Sequence, residues 1–146
     1  MALGVAGLLT IVGVIAAVVS WKAIMPAGRG DTEAMWVDHS SEVTVVRNPS
    51  IMSDAVLYNG SFSVGQDGCL YVTVLEEEET TYLAATNPSA TINQDAVSDR
   101  GISYKMGDTA WFSKAVLRGQ LPSKGLSMCQ GASEVFGVSL AATPDP

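Results

Sequence analysis

Asp38-His39-Ser40-Ser41 holds the chain's only histidine between an acid and two hydroxyls, the residue types from which hydrolytic triads are built. A triad needs those groups converging from separate elements, and no Gly-x-Ser-x-Gly elbow accompanies them. A solvated His39 leading into a strand is the plainer expectation, with no catalytic residue. Glu76, Glu77, Glu78 and Glu79 form the densest charge in the chain. Calcium takes about six to eight oxygens in a shaped loop, and no Asp-x-Asp-x-Asp-Gly pattern is present. These carboxylates are therefore expected in an exposed, self-repelling hairpin loop, with a partner-facing acidic patch as the other use. Cys69 and Cys129 are the only cysteines. One histidine and two cysteines make a poor ligand set, so neither a metal site nor a cofactor is expected. A disulfide between Cys69 and Cys129 is expected instead, closing a loop of about sixty residues for roughly 4 kcal/mol on the chain-entropy model.

Shorter motifs weigh less. Arg29-Gly30-Asp31 spells an integrin-recognition tripeptide, a match short enough to arise by chance. Asn59-Gly60-Ser61 is a glycosylation sequon, whereas Asn48-Pro49-Ser50 and Asn87-Pro88-Ser89 are blocked by proline. The aromatic residues Trp36, Tyr58, Phe62, Tyr71, Tyr82, Tyr104, Trp111, Phe112 and Phe136 fall on predicted strands or their edges. Alternation sends about half of them inward to fill a core. An outward set would make a platform for carbohydrate or peptide.

The elements that must position these residues begin with an uncharged apolar run over residues 2–21. About twenty helical residues span a bilayer core, so a membrane anchor is expected over residues 1–22. No Lys or Arg precedes the run, and Ser20-Trp21-Lys22 offers no cleavage pattern, which favours an uncleaved anchor over a secretory signal. Gly13 with Ala17 and Ala16 with Ser20 place small residues four apart, a face suited to close helix contact, and Gly4 and Gly7 widen it. Lys22 and Arg29 after the run favour a cytoplasmic C-terminal domain by the positive-inside rule. The cysteine pair favours an extracytoplasmic one, which is the expectation adopted.

Residues 23–34 contain Pro26, Gly28 and Gly30 and read as a juxtamembrane linker. Residues 35–140 show short β-rich runs between turn residues, at 42–46, 55–58, 61–64, 69–75, 80–85, 90–92, 101–104, 109–112 and 134–139. Asn59-Gly60 is expected to turn a two-residue hairpin, and Gln66-Asp67-Gly68 a second turn. The fold class expected is an all-β small barrel or sandwich preceded by one transmembrane helix. Residues 141–146 are expected to be a disordered tail.

The order Gly68-Cys69-Leu70, Thr81-Tyr82-Leu83, Ile102-Ser103-Tyr104-Lys105-Met106-Gly107-Asp108, Pro122, Cys129 and Val135-Phe136-Gly137-Val138 resembles a group of small bacterial proteins, mainly actinobacterial. These are membrane- or lipid-anchored extracytoplasmic proteins with a compact β-barrel-like domain and two cysteines. The resemblance covers roughly residues 55–140, and its most specific part is Gly-Cys-Leu, then Tyr-x-x-Gly-Asp, then a second Cys. Phe112-Ser113-Lys114-Ala115 replaces the group's usual glycine-rich turn. What the resemblance implies is fold, disulfide and location, with no activity attached.

All fifteen Asp and Glu follow residue 30, against six Lys and Arg, leaving nine net negative charges on that part of the chain. Such a field repels nucleic acid, which is not expected as a partner. The functional expectation is a single-pass, non-enzymatic accessory or interaction protein. It is expected to reside in the cell membrane and dock to a membrane-protein partner through Gly13, Ala16, Ala17 and Ser20. The alternative is a cell-envelope ligand-binding domain using exposed aromatics, and a hydrolase using His39 ranks third.

Overall fold

A computed structural model describes residues 34–50, 52–121 and 127–146, all within one unit, Glu33–Pro146. The expected membrane helix, its face at Gly13, Ala16, Ala17 and Ser20, most of the linker, and Arg29-Gly30-Asp31 lie outside these residues. The described part is all-β. Its strands are β1 (Trp36–Asp38), β2 (Val45–Arg47), β3 (Ser53–Val64), β4 (Leu70–Leu75), β5 (Glu79–Thr86), β6 (Thr91–Ile92), β7 (Ala96–Asp99), β8 (Ile102–Lys105), β9 (Ala110–Ala115) and β10 (Val135–Leu140).

Seven strands form one sheet in the order β1-β2-β5-β10-β9-β3-β4, and β6-β7-β8 form a second. The large sheet curls until β4 meets the first half of β5, Leu75 opposite Glu79 through Tyr71 opposite Leu83. It does not close into a barrel. The second half of β5 takes β2 in parallel, Val46 opposite Ala85, and β1 continues outward from β2 as a free edge. The barrel expectation is corrected by this branching. A parallel pairing of β5 with β10 also departs from a simple succession of hairpins.

Alternation along β4 and β5 explains how one sheet serves two apolar clusters. Leu70, Val72, Val74 and Ala84 face the larger one, with Phe62, Phe112 and Phe136 among its rings. Tyr71, Leu83 and Ala85 face the smaller one, which also holds Val46, Cys69 and Cys129. Phe136 is the hub of the rings, 5.3 Å from Tyr82, 5.7 Å from Tyr58 and 5.8 Å from Phe112. The small sheet joins the larger cluster through Ile92, Val97 and Tyr104.

Two turns separate expectation from outcome. Asn59-Gly60 is not a hairpin: both residues lie inside β3, paired with β4 on one side and β9 on the other. A Cβ on Gly60 would lie 2.0 Å from the Thr73 carbonyl oxygen, so glycine is required here for close strand approach, not for a turn. The two-residue turn lies at Arg100-Gly101, between β7 and β8, where both residues have positive φ, 50° and 80°. That pair of dihedral signs matches a hairpin's right-handed twist. Arg100 is held there by Asp99, 3.3 Å away, and by Ser139. After β10, the Ala141 amide donates to the Trp111 carbonyl and its own carbonyl accepts from the Tyr104 hydroxyl.

Candidate interaction face

β4 stops at Leu75, opposite Asn59, and residues 76–78 turn the chain back into β5. The half of β3 before Asn59 therefore keeps only β9 beside it. Among the described residues no strand pairs with its other edge. Pairing with β9 slips between Ser53 and Leu57, a bulge that is bridged by a side chain. Asp54 accepts from the Lys114 amide at 3.1 Å and from the Tyr58 hydroxyl at 3.3 Å. Burial, then the neighbouring Asp54 and Glu76 charges, push the Tyr58 phenol upward, so it remains a donor.

Beside the bulge apolar side chains face solvent. Met52, Val56, Leu57, Val116 and Leu117 are each between 37% and 61% exposed, too much apolar surface in one region to ignore. Met52, Val116 and Leu117 line one shallow groove together with Ser53, Asp54 and Lys114. Buried Asn48 fixes this wall: its amide donates to the Val116 carbonyl and its oxygen accepts from the Arg118 amide. Val116 in turn donates to the Met52 carbonyl at 2.8 Å. The Met35 amide donates to the Arg118 carbonyl at 2.8 Å, so the described chain joins the domain beside this wall.

Glu76, Glu77, Glu78 and Glu79 are all exposed, as expected of a hairpin loop, and they adjoin the point where β3 loses its β4 partner. Asn59 of the sequon sits mid-strand, opposite Leu75 and Trp111.

Cys69 and Cys129 are both buried and form the expected disulfide, with Cα atoms 5.7 Å apart. A polar clasp surrounds it. Tyr71 donates to Asp67 and accepts from the Gly131 amide at 2.8 Å, and Asp67 also accepts from the amides of Cys69 and Gln130. Burial, reinforced by Asp67, pushes the Tyr71 phenol up to about 12. Burial works the other way on Asp67, but hydrogen bonds from Tyr71 and the amides overcome it and keep the carboxyl low. A phenol that high and a carboxylate that low hold segments together and exchange no proton near neutral pH.

Across β1 and β2, Asp38 is held at about 2 by the Ser40 hydroxyl and amide, with Arg47 adding to the effect against partial burial. Arg47 bonds Asp38 at 2.9 Å through Nε, while its other arm reaches Thr86 and the carbonyls of Asn87 and Ala90. Asp38 is thus committed to Ser40 and Arg47. Exposed His39 meets Thr44 Oγ1 at 3.3 Å, so Asp38 and Ser40 come together without the histidine a triad would need between them. Among the described residues no group of three or more His, Cys, Asp or Glu is placed to hold a metal. Of the aromatics noted above, only Trp36 is exposed, and the other eight are buried or packed against the core. Phe62, Tyr71, Tyr104, Phe112 and Phe136 are buried, about the half expected inward, while Tyr58, Tyr82 and Trp111 keep partial exposure.

Comparison with known proteins finds no matching family model, curated protein or solved structure.

The residues of this face escape a reading of alternation. Val56-Leu57 and Val116-Leu117 are apolar neighbours that look like ordinary strand, and only the early end of β4 leaves the first pair uncovered. The one available signal is that Val116 and Leu117 follow a strand already long enough for its partners.

Proposed function

We propose that this chain is a single-pass, membrane-anchored, non-enzymatic interaction protein with an extracytoplasmic β-domain. The observation that carries the reading is the exposed apolar wall of Met52, Val116 and Leu117, beside the junction of Met35 with Arg118. An anchor over residues 1–22 would keep the domain and its wall within reach of a membrane-protein partner. Gly13, Ala16, Ala17 and Ser20 would supply the contact within the bilayer. The disulfide supports an oxidising compartment, hence the outer side of the membrane.

Detergent extraction of the tagged chain, followed by identification of co-purifying membrane proteins, tests the reading. One partner lost on Gly13→Leu and weakened by Leu117→Asp is expected. A chain that always purifies alone refutes the partner. Thiol labelling of intact cells tests orientation, and a reduced pair reachable only from the cytoplasm refutes the outward domain.

A further inference from the structure

We infer that the open edge of β3 over residues 53–58 binds an extended polypeptide by strand addition. The segment it takes is apolar in its middle and basic at the end lying against residues 76–79. The inference rests on reading this face as an interaction surface, and it does not depend on the anchor.

Three observations combine. First, among the described residues β3 has a ladder partner on both sides from Asn59 to Gly60 but only β9 over Leu57 and Tyr58. The uncovered edge is a row of backbone donors and acceptors, which natural sheets rarely leave open without covering or charging it. Second, Val56 and Leu57 stand exposed on that same stretch, so an added strand gains apolar contact as well as main-chain hydrogen bonds. Third, the edge ends at Glu76, Glu77 and Glu78 of the β4–β5 turn and Glu79 at the start of β5, the strongest local charge described.

Taken antiparallel, like both ladders on β3, an incoming strand continues the line and direction of β4 beyond Leu75. Its N-terminal end then lies opposite Tyr58, next to Glu76, and its C-terminal end lies opposite Ser53. Lys114 borders the Ser53 end, so the charge preference is confined to the acidic end. A second copy of this chain is a poorer occupant. It would bring its own net negative charge and a second set of glutamates to the same edge.

The test uses the full chain in non-ionic detergent and three synthetic peptides. One is Lys-Lys-Val-Thr-Val-Thr-Val, one replaces both lysines with glutamates, and one carries N-methyl groups on every backbone nitrogen of its Val-Thr-Val-Thr-Val part, so that neither edge can donate. The lysine peptide is expected to bind at least tenfold tighter than the glutamate peptide, with amide shifts concentrated at residues 53–58. Affinity should fall as salt rises. The Glu76→Lys, Glu77→Lys double change lies in an exposed turn, brings the four-residue charge to zero, and should abolish the preference between the two charged peptides. N-methylation should abolish binding.

Equal binding of the two charged peptides overturns the inference, as does undiminished binding of the N-methyl peptide. A peptide-free chain that crosslinks to itself through Leu57→Cys also overturns it, since a second copy then holds the edge. In each of these cases a partner lost on Gly13→Leu would leave the anchored-protein reading standing.

Discussion

Alanine at Gly60 distinguishes a strand interior from a turn. Its Cβ would sit 2.0 Å from the Thr73 carbonyl oxygen, 3.0 Å from the carbonyl carbon and 3.2 Å from Phe112 Cζ. Comfortable contact lies near 3.5 Å, so the β4 backbone must retreat by roughly 1 Å or more. Overpacking a filled core costs about 1–3 kcal/mol, and a backbone obstacle puts this site at the upper end. The reduced freedom of the unfolded chain offsets about 0.4–1 kcal/mol. A net loss of about 2 kcal/mol is expected. Gly101 offers the opposite case, with φ of 80° and nothing within 4 Å of an added Cβ. Alanine there costs about 1–2 kcal/mol for its left-handed backbone, and asparagine, which tolerates that region, recovers most of it. Urea unfolding of the full chain in non-ionic detergent, followed by near-ultraviolet circular dichroism, measures all four variants against the parent. Gly60→Ala and Gly60→Asn should both be impaired, while Gly101→Asn should exceed Gly101→Ala. A Gly60→Asn variant as stable as the parent would refute the continuous β3 and restore a turn at Asn59-Gly60.

Reducing the disulfide, or Cys129→Ser, releases a 60-residue separation and should lower stability by about 4 kcal/mol on the chain-entropy model. A urea midpoint insensitive to reductant would contradict that. The depressed Asp38 carboxyl contributes stability in full above its ordinary value of 3.8, and that contribution is lost as pH falls through about 2. The shift sets a ceiling of about 2 kcal/mol, cut to about 1 kcal/mol by solvent screening, and acid titration of Asp38→Asn should show a flatter slope across that window. Arg47→Met strands Asp38 and the carbonyls of Asn87 and Ala90, and should cost about 3 kcal/mol in urea unfolding. Arg47→Lys should recover little of it, because an ammonium cannot reach both sides at once.

Most of the strands are legible as sequence because their burial is local. Leu70-Tyr71-Val72-Thr73-Val74-Leu75 is β-branched or apolar throughout, as a strand covered on both faces should be. Trp36-Val37-Asp38 and Ala96-Val97-Ser98-Asp99 carry too few such residues to stand out, and they are strands because β2 and β8 pair with them. Asn59-Gly60 misleads for a related reason. A dipeptide suited to a turn serves equally where two backbones press together, and only the position of Thr73 distinguishes the two uses. The disulfide is legible from a count of two cysteines. The candidate interaction face is not, since the exposure of Val56 and Leu57 depends on where a different strand stops.

The place of β10 bears on how this domain is made. It is the last strand in sequence, yet it lies in the middle of the large sheet, parallel to β5 and antiparallel to β9. Until residues 135–140 leave the ribosome, β5 and β9 each lack a neighbour, and Phe136 is missing from the rings it joins. Pairing residues so distant in sequence is slow, because a long loop must close before any contact compensates. The large sheet is therefore completed only once β10 has been made. A chain stopped before Val135 would leave β5 and β9 with unpaired edges, the kind of surface on which chaperones and proteases act.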